Sequence, residues 1–518
     1  MSSMDPTRIE QLRDPAAFPG NPETVEIIQT HLSVVCLAGE FAYKLKKSIR
    51  LPFADFTTIA KRRYFCEEEL RLNRRLCPSI YLEVVPLCLD SGGRPRFRAS
   101  GKIVDYALKM KRLPAERMLD VLLQQGAVSE TEISQVAHIV DRFHERSERS
   151  EEIEQLGGPE RLRGSAEANF EETRDMVGEV FCAELHAALD RRSRMDFDRW
   201  SPLLDQRRKE GRIVDGHGDL HARNICLCDP IAVYDCIEFE PSFRCGDAAN
   251  DHAFLVMDLR FRGHPELSQA YVEAVIEESG DGGMRAILPF LVRYRALVRA
   301  KVSAFASCEK EFSGEERARS AVTASRYLRL AGASAFEESG PWWLVVCGLP
   351  GTGKSTLASE LADVSGWPVV ASDVIRKELA GVAPDERLSA PFYREEFSLR
   401  TYDELARRAA EATRANPVVI LDANFRKRDQ RERLREAAAT ARARIAFCEL
   451  RLDEEMVRER LLRRSGDGGA VSDAGWAVYE KVKDSFEAIV PLESELLLTI
   501  DGGGDDECDR LLARLLAA

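Results

Sequence analysis

A chain of 518 residues exceeds the roughly 250–300 residues at which one hydrophobic core stops growing, so two or three domains are expected. Hydrophobic residues at 44% and charged residues at 31% exclude a disordered chain, and a net charge of −13 argues against a generally nucleic-acid-binding surface while leaving room for a local basic groove. Thirteen cysteines without the dense spacing of a small secreted scaffold point to reduced thiols, and MSSMDPTRIEQLRDP carries no basic-then-apolar leader. With no apolar run near ~18 residues, the expectation is a cytoplasmic protein without a membrane partner.

The first part, to about Tyr106, is expected to be strand-rich, because VEIIQT, LSVVCLAG and FAYKLKK are short apolar runs separated by turn residues. In FAYKLKK the period of two puts Ala42, Lys44 and Lys46 on one strand face. Lys44, with Lys46 as the alternative, is the candidate for a phosphate-binding lysine. A helix-like segment from about Thr58 to Leu76 follows, and its CEEELRLNRRL offers Glu67, Glu68 and Glu69 as partners to orient that lysine, Glu69 being preferred.

From Pro114 to Leu204 the pattern turns helical; in ISQVAHIVDRFH, Ile133, Val136, Val140 and Phe143 recur at helical spacing. Next comes HGDLHARN at 217–224, where Asp219 and Asn224 stand in H-x-D-x-x-x-x-N spacing. There the aspartate can face an acceptor hydroxyl while the asparagine reaches Mg²⁺, and a second metal-binding aspartate should follow on a short strand. IAVYDCIEF supplies it as Asp235. His217 and His221 are expected to be loop supports, and Cys226, Cys228, Cys236 and Cys245, whose spacing fits no zinc pattern, to be buried thiols. Arg295 and Arg299 in RYRALVRAK are expected on a solvated helix face.

AGASAFEESGP marks an expected boundary near residues 331–341. Beyond it, WLVVCG, PVVAS, PVVILDA, RIAFCEL and LLLTI alternate with helical stretches, as in a parallel sheet covered by helices. Gly348 to Ser355 spells the full G-x-x-x-x-G-K-[ST] phosphate-binding pattern between a strand and a helix. Its segment Gly348, Pro350, Gly351, Thr352, Gly353, Lys354, Ser355 and Thr356 is expected to hold nucleotide: backbone N–H groups turn inward, Lys354 neutralises phosphate oxygens and Ser355 ligates Mg²⁺. Asp373, after PVVAS, could orient an acceptor hydroxyl, with Arg376 near an anionic group; the alternative is a helix cap and a solvated arginine. Asp422 ends PVVILDA, where it could anchor the magnesium shell. Arg460 and Arg464, one helical turn apart before SGDGGAVSDA, suit a lid that closes on phosphates.

The C-terminal part resembles the P-loop small kinases that include polynucleotide 5′-hydroxyl kinases, gluconate-type kinases and zeta-toxin-like kinases. GLPGTGKST, SDVIR, VILDANF with Arg431 downstream, and RERLLRR before SDA carry the resemblance. It implies Asp373 as base and the lid arginines as phosphate clamps. The N-terminal part resembles the aminoglycoside phosphotransferase and choline kinase branch of the kinase-like fold through HGDLHARN, VYDCIEFE and CGDAANDHAFL. That resemblance implies a loop-supporting aspartate, assigned to Asp251. Gly218 stands where protein kinases carry the arginine that reads activation-loop phosphate, and D-F-G, A-P-E and a glycine-rich loop are missing, so a protein substrate is disfavoured.

Together the two parts look like a bacterial family of bifunctional phosphotransferase/ATP-binding proteins. The expected fold is an α+β bilobal kinase-like domain at 1–335, with a small lobe at about 20–110 and a large lobe at about 111–335. An α/β P-loop domain with a mainly parallel five-stranded sheet should follow at 341–518. The expected activity is a bifunctional ATP-dependent phosphotransferase with two Mg·ATP sites acting on small-molecule hydroxyl acceptors. Two alternatives stand beside it: an ATP-sensing regulatory protein with one catalytic domain, and a C-terminal polynucleotide 5′-hydroxyl kinase, which would make nucleic acid a partner.

Overall fold

The computed structural model describes residues 6–97, 100–309, 312–383, 386, 388–464, 475–492, 495–504 and 506–517. The chain separates into two compact units, Met1–Gly164 with Trp200–Leu291, and Ser165–Arg199 with Val292–Ala518.

In the first unit a six-stranded antiparallel sheet has the order Val25–Gln29, Ser33–Ala38, Phe41–Lys46, Lys102–Lys111, Tyr81–Leu89, Pro95–Arg96. Alternation along Phe41–Lys46 decides what each face does. Tyr43 and Leu45 enter a core with Val34, Cys36, Leu87 and Phe97, and Lys44 and Lys46 turn to the opposite face. The helix Ile59–Asn73 begins where expected because the Thr58 hydroxyl accepts the Lys61 N–H. Its buried face, Arg62, Cys66, Glu69 and Leu72, follows the helical period, so Glu69 points inward. Glu67 and Glu68 instead pair along the helix surface with Arg63 and Arg71.

The helical part of this unit includes Glu130–Arg146, started by a reciprocal Ser129/Glu132 capping box and burying Ile133, Val136, Val140 and Phe143. A short antiparallel pair, Ile213–Asp215 with Cys245–Asp247, fixes the start of the segment that carries HGDLHARN. A second short pair, Ile225–Cys226 with Ala232–Val233, delivers Asp235.

The second unit holds a five-stranded, wholly parallel sheet in the order Val369–Ala371, Val418–Asp422, Trp342–Cys347, Arg444–Arg451, Leu496–Asp501. Trp342–Cys347 and Val418–Asp422 are buried along their whole length, as expected of continuous apolar runs covered on both faces. Register places Asp422 beside Val346 and Ala371, so the phosphate-binding loop, Asp422 and the start of helix Ser372–Ala380 gather at the carboxyl edge of the sheet.

Two local expectations are corrected. AGASAFE does not break the chain: helix Gly314–Glu337 runs through it, burying Ala331, Ala333, Ala335 and Phe336, because small residues there are helix-compatible packing rather than turn chemistry. The turn comes only at Glu338–Gly340. Arg295 is buried rather than solvated and Arg299 lies over the Tyr327 ring, with their neighbour Arg293 held by Asp196 and Glu338. Among the described residues no helix is long and apolar enough to cross a membrane, and all thirteen cysteines are free.

Candidate active sites

In the first unit, three separated stretches of chain meet around Lys44. Its Nζ donates to Glu69 Oε1 at 2.8 Å and to Asp235 Oδ1 at 2.5 Å. Lys46 Nζ donates to Glu69 Oε2 at 2.5 Å and also to Glu238. Glu69 therefore holds both lysines, and only Lys44 reaches the aspartate that follows the HGDLHARN segment. Burial pushes the Glu69 carboxyl up, but Lys44 and Lys46 outweigh it and hold it down to about 2. Burial also opposes the Lys44 charge, yet Asp235 and Glu69 keep that ammonium well above its usual value. Glu238 goes the other way, raised by its burial.

Backbone contacts fix the aspartates. Asp235 has a left-handed φ of 66°, its N–H donating to the Tyr81 hydroxyl at 3.1 Å, while the Cys236 N–H donates to Asn73 Oδ1 at 2.9 Å. Asn224 Nδ2 donates to the Asp219 carbonyl at 2.9 Å and to Asp219 Oδ2 at 3.1 Å, which joins the two ends of the HGDLHARN motif. His217 supports the loop: Nδ1 accepts the Asp219 N–H at 3.2 Å, so Nε2–H donates to the Tyr234 carbonyl at 3.0 Å. Asp251 sits beneath, accepting the N–H groups of His217 at 2.6 Å and Gly218 at 2.9 Å.

Gly218 has a backbone reason beyond the missing arginine. Its φ is +84°, and a Cβ there would lie 2.8 Å from the Phe243 carbonyl oxygen. That approach brings the Phe239–Phe243 segment against the loop, and Phe53, Phe239 and Phe243 form an aromatic cluster with ring centroids 5.5–6.3 Å apart. Phe53 and Phe243 are exposed.

In the second unit the loop after Trp342–Cys347 depends on glycine. Gly348, Gly351 and Gly353 have φ of +129°, +80° and +105°, and a Cβ on Gly348 would meet the Leu450 carbonyl oxygen at 2.5 Å. Lys354, at the start of helix Lys354–Ser365, folds back so that Nζ donates to the Leu349 carbonyl at 2.8 Å, and Thr352 Oγ1 donates to the same oxygen at 2.9 Å. The Ser355 hydroxyl donates to Asp422 Oδ2 at 2.6 Å. Burial raises the Asp422 carboxyl against the pull of Lys354 and Ser355, with Asp373 adding like charge. Pro350 is buried within the loop and Thr356 is exposed on the helix.

The arginines divide. Arg460 Nη1 contacts the Thr352 carbonyl at 3.4 Å, placing it on the loop. Arg376 is buried, donates to the Phe392 carbonyl at 2.8 Å and stacks on Tyr393, so it is not the solvated alternative. Arg431 is buried and donates to the Phe425 and Ala488 carbonyls at 2.7 and 2.9 Å; it braces the chain after the Asp422 strand. The side chain of Arg464 and the segment SGDGGAVSDA at 465–474 lie outside the described residues.

Sequence reasoning missed Glu238 and the full use of Lys46. A signal existed, since Glu238 lies three residues beyond Asp235 and Lys46 shares the face of Lys44. Cys226, Cys236 and Cys245 are buried thiols pushed up by burial to about 12, 12 and 11, and among the described residues no group of three or more His, Cys, Asp or Glu could hold a metal ion. The donors in both sites are carboxylate, amide and hydroxyl oxygens, which suit Mg²⁺ completed by phosphate oxygens and water.

A family model described as an AAA domain matches residues 344–489. The Mycobacterium tuberculosis protein Rv2004c, described as uncharacterized, is 31% identical over 447 residues, spanning 85% of this chain and 86% of that one. The chain belongs to its family. A shared stretch of that length takes in residues of both compact units. Among solved structures, a gluconokinase from Sinorhizobium meliloti 1021 is similar at 22% identity, covering 34% of this chain and 92% of its own with a TM-score of 0.25. Aminoglycoside 2′-phosphotransferase-IIIa is similar at 12% identity, covering 60% of this chain and 94% of its own with a TM-score of 0.39.

Proposed function

We propose that the protein is a bifunctional, cytoplasmic, ATP-dependent phosphotransferase with two Mg·ATP sites, each passing the γ-phosphoryl group to a hydroxyl of a small molecule. The observation that carries this reading is the meeting of Lys44, Glu69 and Asp235, with Asp219 and Asn224 joined beside them, in one unit, while the other unit holds a complete phosphate-binding loop against Asp422.

At the first site, Asp219 takes the proton of the acceptor hydroxyl as its oxygen bonds to phosphorus and the bond to the ADP oxygen breaks. Lys44, oriented by Glu69, holds phosphate oxygens; Asn224 and Asp235 would hold Mg²⁺. At the second site, the N–H groups of 348–353 and the helix start cradle the phosphates, Lys354 neutralises them, and Ser355 with Asp422 would hold Mg²⁺. Asp373 accepts the hydroxyl proton there, Arg376 shapes the acceptor side, Arg460 and Arg464 close on the phosphates, and Arg431 positions the Asp422 strand. When bound, Mg²⁺ neutralises charge that develops on the phosphate oxygens. The first activity belongs to residues 1–335 and the second to 341–518. The exposed Phe53 and Phe243, packed with the half-buried Phe239, favour a first-site acceptor with an apolar or planar face.

The test is γ-labelled ATP offered with a panel of alcohols, sugars and 5′-hydroxyl oligonucleotides to wild type, Asp219→Asn and Lys354→Ala. Each substitution should remove a different labelled product. Transfer surviving both would overturn the reading. If Lys354→Ala alone abolishes all transfer, the first unit is regulatory; if the lost product is an oligonucleotide, the second site is a polynucleotide kinase.

A further inference from the structure

Behind the HGDLHARN loop lies a line of buried polar groups that the proposed chemistry does not touch. Asp251 Oδ2, which accepts the His217 N–H, also faces His144 Nε2 at 3.1 Å. His144 Nδ1 lies 3.1 Å from His252 Nε2, and His252 Nδ1 lies 2.9 Å from the Tyr271 hydroxyl. All four side chains are almost fully buried, Tyr271 and His252 at 0% and 1% exposure, so each bond forms where water cannot replace it.

The carboxylate end fixes the direction of the first bond. A carboxylate only accepts, so His144 Nε2 must carry a hydrogen. Burial lowers His252 well below the usual histidine range, so that ring is neutral with a single N–H. One arrangement satisfies every contact: His144 Nδ1 accepts from His252 Nε2–H, and His252 Nδ1 accepts from the Tyr271 O–H. Asp141, whose Oδ1 is 4.0 Å from His252 Nε2, stands beyond hydrogen-bonding reach of this line.

The line ends on the loop backbone. Asp251 accepts the N–H groups of His217 and Gly218, the two residues before Asp219, and a Cβ on Gly216 would lie 2.4 Å from Asp251 Oδ2. A carboxylate in contact with three successive loop residues sets where Asp219 stands, and anything that sets the carboxylate sets the loop.

We propose that His144, His252 and Tyr271 are positioning residues for the first site: a one-directional chain, Tyr271 O–H to His252 to His144 to Asp251, that fixes the Asp251 carboxylate and through it the loop bearing Asp219. In this chain each ring donates through Nε2–H and accepts at Nδ1. The catalytic consequence rests on Asp219 being the base; the bonding pattern itself does not.

The experiment uses the full chain with ¹⁵N-histidine, reading tautomers by long-range ¹H–¹⁵N correlation, and hydrogen exchange of a peptide spanning 214–224. Wild type should show His144 and His252 as neutral Nε2–H rings. Tyr271→Phe, which keeps the ring and removes the donor, should disturb the His252 tautomer and speed exchange of the His217 and Gly218 amides. His144→Leu should speed that exchange by about tenfold, on the scale of one buried charge-assisted hydrogen bond, and His144→Gln, whose amide can still donate to Asp251, should restore it. Asp219→Asn should leave exchange of those amides unchanged, which separates this proposal from the reading of Asp219. Where transfer is measured, His144→Leu should lower kcat with little change in KM for ATP. A cationic or Nδ1–H His144, or unchanged 217–218 exchange in both Tyr271→Phe and His144→Leu, would overturn the proposal. If His144→Leu does not fold, Tyr271→Phe decides alone.

Discussion

On the proposed function, the two candidate sites confront one problem, a highly charged phosphate chain, with different materials. In the first unit the positive charge comes from side chains, and Lys44 is already engaged by Glu69 and Asp235. In the second, the loop itself is the grip: positive-φ glycines turn the backbone and Lys354 rests on a carbonyl of that loop. A side-chain grip should fail by loss of charge pairing, and a backbone grip by steric intrusion.

The largest expected effects are on turnover. Asp219→Asn should lower first-site transfer by roughly 10²–10⁴-fold, the range for loss of a general base, with second-site transfer unchanged in the same labelled-ATP assay. Gly348→Ala should do the converse. The left-handed φ and the 2.5 Å approach to Leu450 oxygen would cost about 1–3 kcal/mol of strain, so nucleotide binding at the second site should weaken by roughly ten- to a hundredfold by titration calorimetry. An alanine that leaves both binding events intact would contradict the backbone-grip account.

Stability sharpens the contrast. Glu69→Gln strips a buried carboxylate from two buried lysines and should destabilise the first unit by about 3–5 kcal/mol at neutral pH, read by urea denaturation. Because Glu69 is held below its ordinary value near 4.5, its contribution is fully present above that pH and is lost as the pH falls toward about 2. The gap between wild type and Glu69→Gln should therefore narrow over that window.

The phosphate-binding loop was legible because its geometry demands glycine at fixed places, and glycine is visible in a sequence. Asp219, Asn224 and Asp235 were legible through spacing, although the left-handed turn at Asp235 was not, since nothing in VYDCIEF announces it. Glu69 could be separated from Glu67 and Glu68 only by the helical face it shares with Arg62, Cys66 and Leu72. The second lysine–carboxylate pair, Lys46 with Glu238, joins residues far apart in sequence that only tertiary folding brings together. The same is true of His144, His252 and Tyr271. Arg376 and Arg431 were read for their charge, whereas folding ties both to backbone carbonyls. The alanine-rich AGASAFE segment misled because small residues serve close helix packing as well as they serve loops.

The smallest expected effect concerns acceptor choice. Phe243→Ala should raise the first-site KM for an aromatic or apolar alcohol by about three- to tenfold, the worth of one aromatic contact, without changing ATP affinity.

Two independent nucleotide sites are tested most directly by binding stoichiometry with a non-hydrolysable ATP analogue and Mg²⁺ in titration calorimetry. Wild type should bind two per chain, with Lys44→Ala and Lys354→Ala each binding one, at opposite sites. A single site in wild type, or the loss of both from either substitution, would contradict the account.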